Sequence, residues 1–397
     1  MTLKPAVPPT VMISCGEPSG DLYAGALAGE LAALAPGARL FGLGGECLRG
    51  AGADLVGTYR GLAVTGLVEV VRVLPRSWAM LRALTDAARA RQPDVLVVID
   101  FPDFHFRLAP AVRRLGVPVV YYIPPQLWAW RKGRLRTMKR WADRALVIFP
   151  FEPPIYRDAG IPVEFVGHPL VDLAVAAGPR EPFLRGLGLD PASPTVALLP
   201  GSRPNEVREI LPGLAGAAAL IARQVPRVQF VVARAPGLPA RLFDPITRAD
   251  VPRLASVEGR TDDALAAADV AVTASGTATV QTAIHGTPMV VVYRLSPLTY
   301  RLFRPFVRVR AYAMVNLVAG RTVAPELIQD DFTPEAVARE ALRLLTVPGE
   351  AQAARRAMLE VRDRLGSAGA SRRAAEAVLA AARAGSPAGR PAIPGDA

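Results

Sequence analysis

Short runs of β-branched and aliphatic residues, each stopped by Gly, Ser, Asp or Pro, alternate along this chain with longer segments of helical periodicity. Strand, helix and parallel strand in succession form the repeating unit of parallel α/β sheets, so this alternation restricts the fold class more than any other feature. Strands are expected at 11–15, 40–43, 95–99, 119–123, 145–148 and 164–166, with helices at 22–34, 73–91, 105–115 and 135–141. The small-residue stretch 174–179 reads as a linker. A second series then brings strands at 195–199, 229–233, 254–257, 270–273 and 289–293 and helices at 204–224, 262–268 and 277–285. The expectation is an α/β protein of two Rossmann-like doubly wound domains, 1–175 and 176–348. Ligands should lie at the carboxyl ends of the strands, in a central cleft that the two domains face. Residues 349–384 read as helices packing back on the first domain or on a partner, and 385–397 as a disordered tail.

Composition removes several function classes. With 397 residues, 51% hydrophobic and 21% charged, the chain is globular. Two cysteines, Cys15 and Cys47, make no disulfide framework, and His105, His168 and His285 lack zinc-site spacing. No metal site is therefore expected, the turn after the first strand is not a G-x-G-x-x-G so no dinucleotide cofactor is expected either, and a reducing cytoplasmic compartment fits. The 11–15 run, which could close a lipoprotein signal, is too short and reads as the first strand. No stretch is long and apolar enough to span a bilayer. Lys and Arg number 47 against 35 Asp and Glu, a formal charge of +12, which points to an anionic partner.

Several motifs fall where strands end. Gly16-Glu17-Pro18-Ser19-Gly20-Asp21 follows the first strand; Ser19 or Asp21 suits a helix cap, and Glu17 is the candidate functional residue. The run 95–99 ends in Asp100, a carboxylate with no local role after a buried strand and hence a candidate general base. Asp103 is expected to cap a helix starting near His105. Trp128 and Trp130 follow two prolines and form either a packed loop or a wall for a sugar or acyl chain. Arg131, Lys132, Arg134, Arg136, Lys139, Arg140 and Arg144 read as a basic helix, solvated or facing anionic lipid. In the second half, Gly201-Ser202-Arg203 and Ser275-Gly276-Thr277 each open a helix, and together they suit a diphosphate. Asn316 sits in an apolar loop as an Asx turn or a nucleotide contact. The mixed aromatic and cationic run 300–310 reads as an interfacial patch or a subunit interface.

Taken in order, these strings resemble the lipid-A-disaccharide synthase family of GT-B glycosyltransferases. The carriers are G-E-P-S-G-D (16–21), G-L-G-G (42–45), D-F-P-D-F (100–104), P-P-Q-L-W-A-W-R (124–131), F-P-F-E (149–152) and F-V-G-H-P-L-V-D (165–172). They continue with L-L-P-G-S-R-x-x-E-V (198–207), A-S-G-T-A (274–278), P-M-V-V-V-Y-R (288–294), N-L-V-A-G-R (316–321) and P-E-L (325–327). The resemblance implies a GT-B fold and transfer of 2,3-diacylglucosamine from UDP to 2,3-diacylglucosamine 1-phosphate. The product would be a β-1,6 disaccharide, formed without a metal. It implies Asp100 as base, Glu17 on the acceptor side, and Arg203 and Asn316 in the UDP site. The candidates read beside them are Ser19, Trp128, Trp130 and Arg131 for the acceptor, and Gly201, Ser202, Ser275, Gly276, Thr277, Gln281 and Glu326 for UDP. Peripheral attachment to the cytoplasmic face of the inner membrane follows, with a possible homodimer and no nucleic-acid partner. The chain departs from the family pattern at Pro18, Pro124 and 64–66. It departs also at Gln281, which stands in place of a Glu and makes a ribose contact there neutral. The alternatives are a GT-B enzyme for another UDP-sugar, transferase or epimerase, or a non-catalytic membrane- or nucleic-acid-binding relative.

Overall fold

Thirteen strands among the described residues of the computed structural model form two sheets, and every pairing is parallel. Those residues are 8–62, 67–126, 133–249, 251–295 and 312–385. Contacts divide the chain into two units: Met1–Pro169 with Ser367–Ala397, and Leu170–Gly366. The first sheet holds β1 (Thr10–Cys15), β2 (Arg39–Gly44), β3 (Asp54–Thr58), β4 (Val95–Ile99), β5 (Val119–Tyr122), β6 (Arg144–Val147) and β7 (Val163–Phe165), in the order β3-β2-β1-β4-β5-β6-β7. The second holds β8 (Thr195–Leu199), β9 (Gln229–Arg234), β10 (Leu254–Glu258), β11 (Val270–Ala274), β12 (Met289–Tyr293) and β13 (Glu326–Ile328), in the order β10-β9-β8-β11-β12-β13. Each order reverses beside its first strand, at β1/β4 and at β8/β11. Such switch points are where the loops leaving neighbouring strands part and leave room for a ligand.

The central strands are continuous apolar runs because helices cover both their faces. In the second unit, Val207, Ile210, Leu211, Leu214, Ala218 and Ile221 of the helix Pro204–Gln224 are buried against Val196, Leu198, Val270 and Val272. Their three- and four-residue spacing is one face of a 3.6-residue period. In the first unit, Met12, Leu96, Val98, Val119 and Tyr121 pack with Phe104, Leu108 and Val112 of the helix Pro102–Arg113.

Two edge strands carry no sequence signal. β3 reads Asp-Leu-Val-Gly-Thr and is half-exposed, and β13 is three residues long. Helices also start earlier than expected, at Pro18 and Pro102. A proline in the first turn lacks only an N–H that the helix would leave unpaired anyway, so it opens a helix as readily as it stops one.

The last helices separate. Glu350–Arg364 belongs to the second unit, whereas Ala370–Gly385 belongs to the first and packs on the helix Pro18–Leu34. Arg373 secures it by donating from Nε to the Val166 carbonyl at 2.8 Å. No helix among the described residues is long and apolar enough to cross a membrane.

Candidate functional site

Strand register brings the two acidic candidates of the first unit to one sheet edge. Cys15 of β1 pairs with Ile99 of β4, so Gly16-Glu17 and Asp100-Phe101 leave neighbouring strand ends. A Cβ on Gly16 would stand 2.0 Å from the Phe101 ring, so only glycine lets that ring close over the first loop. Glu17 is half-buried and extended, and its carbonyl accepts from the Asp21 amide at 2.8 Å. Asp100, Phe101 and Ile123 all hold left-handed backbone, at φ of 50°, 47° and 56°. Non-glycine residues adopt that region at a cost, and clusters of them mark sites where the surrounding structure over-determines the chain.

A buried network underlies the Asp100 turn. The Asp100 carbonyl accepts from Nδ1 of His105 at 2.6 Å and from the Tyr121 hydroxyl at 2.8 Å. His105 Nε2 lies 2.9 Å from the Ser14 hydroxyl. A carbonyl only accepts, so the ring proton sits on Nδ1, and Nε2 accepts from Ser14. Burial lowers the His105 pKa to about 3, offset in part by its bond to the Asp100 carbonyl, so the ring is neutral. Sequence spacing gave no sign of this role, because the partner is a backbone atom.

Two expected caps are corrected. Asp21 lies in the fourth position of its own helix and does not cap it. Its buried carboxylate accepts from the amides of Gly45 at 2.6 Å, Cys47 at 2.9 Å and Leu48 at 3.2 Å, and so caps the helix Glu46–Gly50. Asp103 is inside the helix Pro102–Arg113, whose N-cap is Phe101, and it meets Arg134 at 2.6 Å. Ser19 is half-buried within the helix Pro18–Leu34. The basic series is not one helix, since Gly133–Met138 ends before Arg144, which opens β6. Trp128, Trp130, Arg131 and Lys132 lie outside the described residues, as do 64–66 and 300–310.

In the second unit the two turns differ. Gly201, at φ 115°, leaves room for the side chain of Glu206, which a Cβ there would meet at 2.7 Å. Glu206 Oε2 accepts from the amides of Ser202 at 3.1 Å and Arg203 at 3.2 Å, and its Oε1 meets Arg203 Nη1 at 3.1 Å. The amides expected to face a diphosphate thus have an acceptor within the protein. A carboxylate three residues into the helix already occupies them, as in a capping box, and holds the guanidinium beside the turn. Among the described residues the turn at 275–277 is open: Gly276 is the N-cap of the helix Thr277–Ile284, and none of them stands within 4 Å of a Cβ built on it. Helix geometry leaves the first amides without partners in the helix, which suits an anion. Ser275 donates from Oγ to the Tyr312 carbonyl at 3.2 Å.

The remaining residues expected on the donor side are engaged with the protein. Gln281 Nε2 lies 3.4 Å from Asp262 Oδ1, which also receives His285 Nε2 at 2.9 Å, so a carboxylate stands beside the neutral amide. Asn316 is buried and donates to the Ala324 carbonyl at 2.9 Å and Glu326 Oε1 at 2.7 Å. It accepts from the amides of Val323 at 2.7 Å and Ala324 at 3.0 Å. Glu326 further accepts from the amides of Tyr312 at 2.8 Å and Ala313 at 3.1 Å. All the hydrogen-bonding valences of the Asn316 side chain are filled, which favours the structural reading of this residue. The pair ties the 312–326 segment to itself and, through Ser275, to the open turn.

Comparisons with known proteins agree over nearly the whole chain. The family model described as lipid-A-disaccharide synthetase matches residues 11–382. A lipid-A-disaccharide synthase of Syntrophus aciditrophicus (strain SB) is 45% identical over 370 residues, covering 93% of this chain and 97% of that protein. One from Myxococcus xanthus (strain DK1622) is 42% identical, covering 94% and 97%. Among solved structures, UDP-GlcNAc 2-epimerase from Neisseria meningitidis bound to UDP-GlcNAc aligns at TM-score 0.66 and 14% identity, over 94% of this chain and 100% of that one. The calicheamicin glycosyltransferase CalG4 aligns at 0.60 and 18%, over 94% and 98%. These distant likenesses establish the fold alone, the two-sheet α/β arrangement of GT-B glycosyltransferases and epimerases. The family match and the close relatives decide the rest: the chain belongs to the lipid-A-disaccharide synthase family of hexosyltransferases.

Proposed function

We propose that this chain joins UDP-2,3-diacylglucosamine to 2,3-diacylglucosamine 1-phosphate with inversion, and that Asp100 is the base. The observation that carries the base assignment is a carboxylate on strained backbone at the carboxyl end of a central strand, next to the Gly16-Glu17 loop. In the reaction, the acceptor 6-hydroxyl oxygen bonds to the anomeric carbon as the bond from that carbon to the UDP oxygen breaks. The hydroxyl proton passes to the Asp100 carboxylate, and UDP leaves with its electron pair. Charge growing on the diphosphate is met by Arg203 and by the helix dipole and amides at Gly276-Thr277. Glu206 sets the position of Arg203, and Gly201 and Ser202 form the turn that makes this possible. Glu17 belongs to the acceptor side by its place on the strand end next to that of Asp100, and Ser19 by following it at the start of the helix Pro18–Leu34. Asn316 and Glu326 support the donor loop, and Gln281 with Asp262 supplies the carboxylate that Gln281 alone lacks.

Purified protein supplied with both acylated sugars should yield, by mass spectrometry, a tetraacyl disaccharide monophosphate and UDP. Turnover of UDP-GlcNAc with no disaccharide from the acylated pair would instead favour an epimerase or a transferase for another sugar. We place the enzyme peripherally on the cytoplasmic membrane face, since its substrates carry acyl chains and its charge is +12. It should float with anionic liposomes and be released as salt screens the attraction. Recovery in the soluble fraction at every salt concentration would remove that placement. Sedimentation at working concentration tests the homodimer.

A further inference from the structure

We propose that His105 is a positioning residue for Asp100, acting as a neutral hydrogen-bond donor to the Asp100 backbone; the inference rests on the reading of Asp100 as the base. Asp100 and Phe101 are consecutive left-handed residues, and neither is glycine. Their conformation therefore has to be held by contacts. Two of these contacts converge on one atom, the Asp100 carbonyl oxygen, which accepts from His105 Nδ1 and from the Tyr121 hydroxyl, while the Asp100 amide donates to the Ile123 carbonyl at 3.3 Å. Both donors belong to side chains with no solvent exposure. They reach the carbonyl from separate elements, the helix Pro102–Arg113 and β5, so the peptide is fixed from two directions. His105 is in turn anchored by Ser14 of β1, a side chain that is also fully buried. Its ring stands edge-on to Phe101 (centroids 5.7 Å apart, planes at 86°) and to Tyr121 (6.2 Å, 82°). The imidazole thus links its own helix, β1 and β5 to one strained peptide, and the half-buried carboxylate of Asp100 is carried on that peptide. A base displaced by an ångström costs on the order of a hundredfold in rate, so the benefit of this bracing should appear in turnover.

Four variants test the proposal: His105→Leu, His105→Asn, Tyr121→Phe and Asp100→Asn. His105→Leu removes the donor and should lower kcat by roughly ten- to a hundredfold, with KM for both substrates and UDP affinity changed by less than about threefold. Asn can donate to the same carbonyl, so His105→Asn should restore most of the lost kcat, and its kcat–pH profile should keep the wild-type shape. Tyr121→Phe should lower kcat more mildly. Hydrogen exchange of the strands β1 to β7 in each variant checks that the first unit is folded, and if His105→Leu does not fold, the Asn and Phe variants carry the test. Wild-type kcat in both His105→Leu and Tyr121→Phe, or in Tyr121→Phe alone should His105→Leu not fold, overturns the proposal. So does loss of one limb of the pH profile in His105→Asn, which would make the imidazole a titrating participant. Near-normal kcat in Asp100→Asn would instead overturn the base assignment itself, so the two failures are distinguishable.

Discussion

Asp100 and Phe101 hold left-handed backbone at about 1–3 kcal/mol each, the usual cost of such conformations for non-glycine residues. The fold sustains that cost beside Gly16, where the Phe101 ring leaves no space for even one methyl group. If the carboxylate is the base, Asp100→Asn keeps the shape and removes the proton acceptor. Turnover should fall by at least about a hundredfold, the scale of general-base catalysis, while UDP binding measured by calorimetry stays as it was. Arg203 is the matching residue of the second unit, where its guanidinium is paired with Glu206 rather than left to wander. Arg203→Ala should weaken UDP binding by about ten- to a hundredfold, the value of one or two charged hydrogen bonds. An unchanged UDP titration would take Arg203 out of the donor site.

Asp21 shows how one element supports another. Its carboxylate closes the start of the helix Glu46–Gly50 across the tip of β2, and Gly45 is small enough for the approach. Asp21→Ala should therefore cost at least about 2 kcal/mol of stability, measured by denaturant titration, since buried amides lose their acceptor; Asp21→Asn, which keeps a carbonyl oxygen, should cost less. At this scale the sequence was readable wherever a strand is covered on both faces, as β1, β4, β8 and β11 are, because burial forces a continuous apolar run. It was not readable at β3 and β13, where an edge position relaxes that demand. Helix starts were misplaced at Pro18 and Pro102 because proline marks both an end and a first turn. Asp100 stands out as a candidate from its position after an apolar strand. His105 could not, because its partner is a carbonyl and its distance from Ser14 is set by strand order. Glu206 was hidden for a similar reason: the residue at its helix N-cap is Arg203, which is not one of the usual capping types.

Acid should act first on one unit of the molecule. His105 and His168 both lie in the first unit, and burial lowers each pKa to about 3. In the unfolded chain a histidine titrates near ~6.5. Between those values the unfolded state binds more protons, so stability rises with pH and is lost as pH falls below about 6.5. Each histidine should remove about 2 kcal/mol between pH 7 and pH 5, and His105→Asn should flatten the slope by its share. Hydrogen exchange followed across that range should show the strands β1 to β7 losing protection before β8 to β13. Equal loss in both sheets would contradict the assignment. The path of the chain has a separate consequence for biosynthesis. The helix Ala370–Gly385, which lies on Pro18–Leu34, leaves the ribosome after every strand of both sheets has been made. The second unit can finish folding on the nascent chain, but the first must wait, with an apolar flank uncovered, until residues 370–385 have emerged. That interval, and no feature of the finished enzyme, is when the newborn polypeptide most needs a chaperone's shelter.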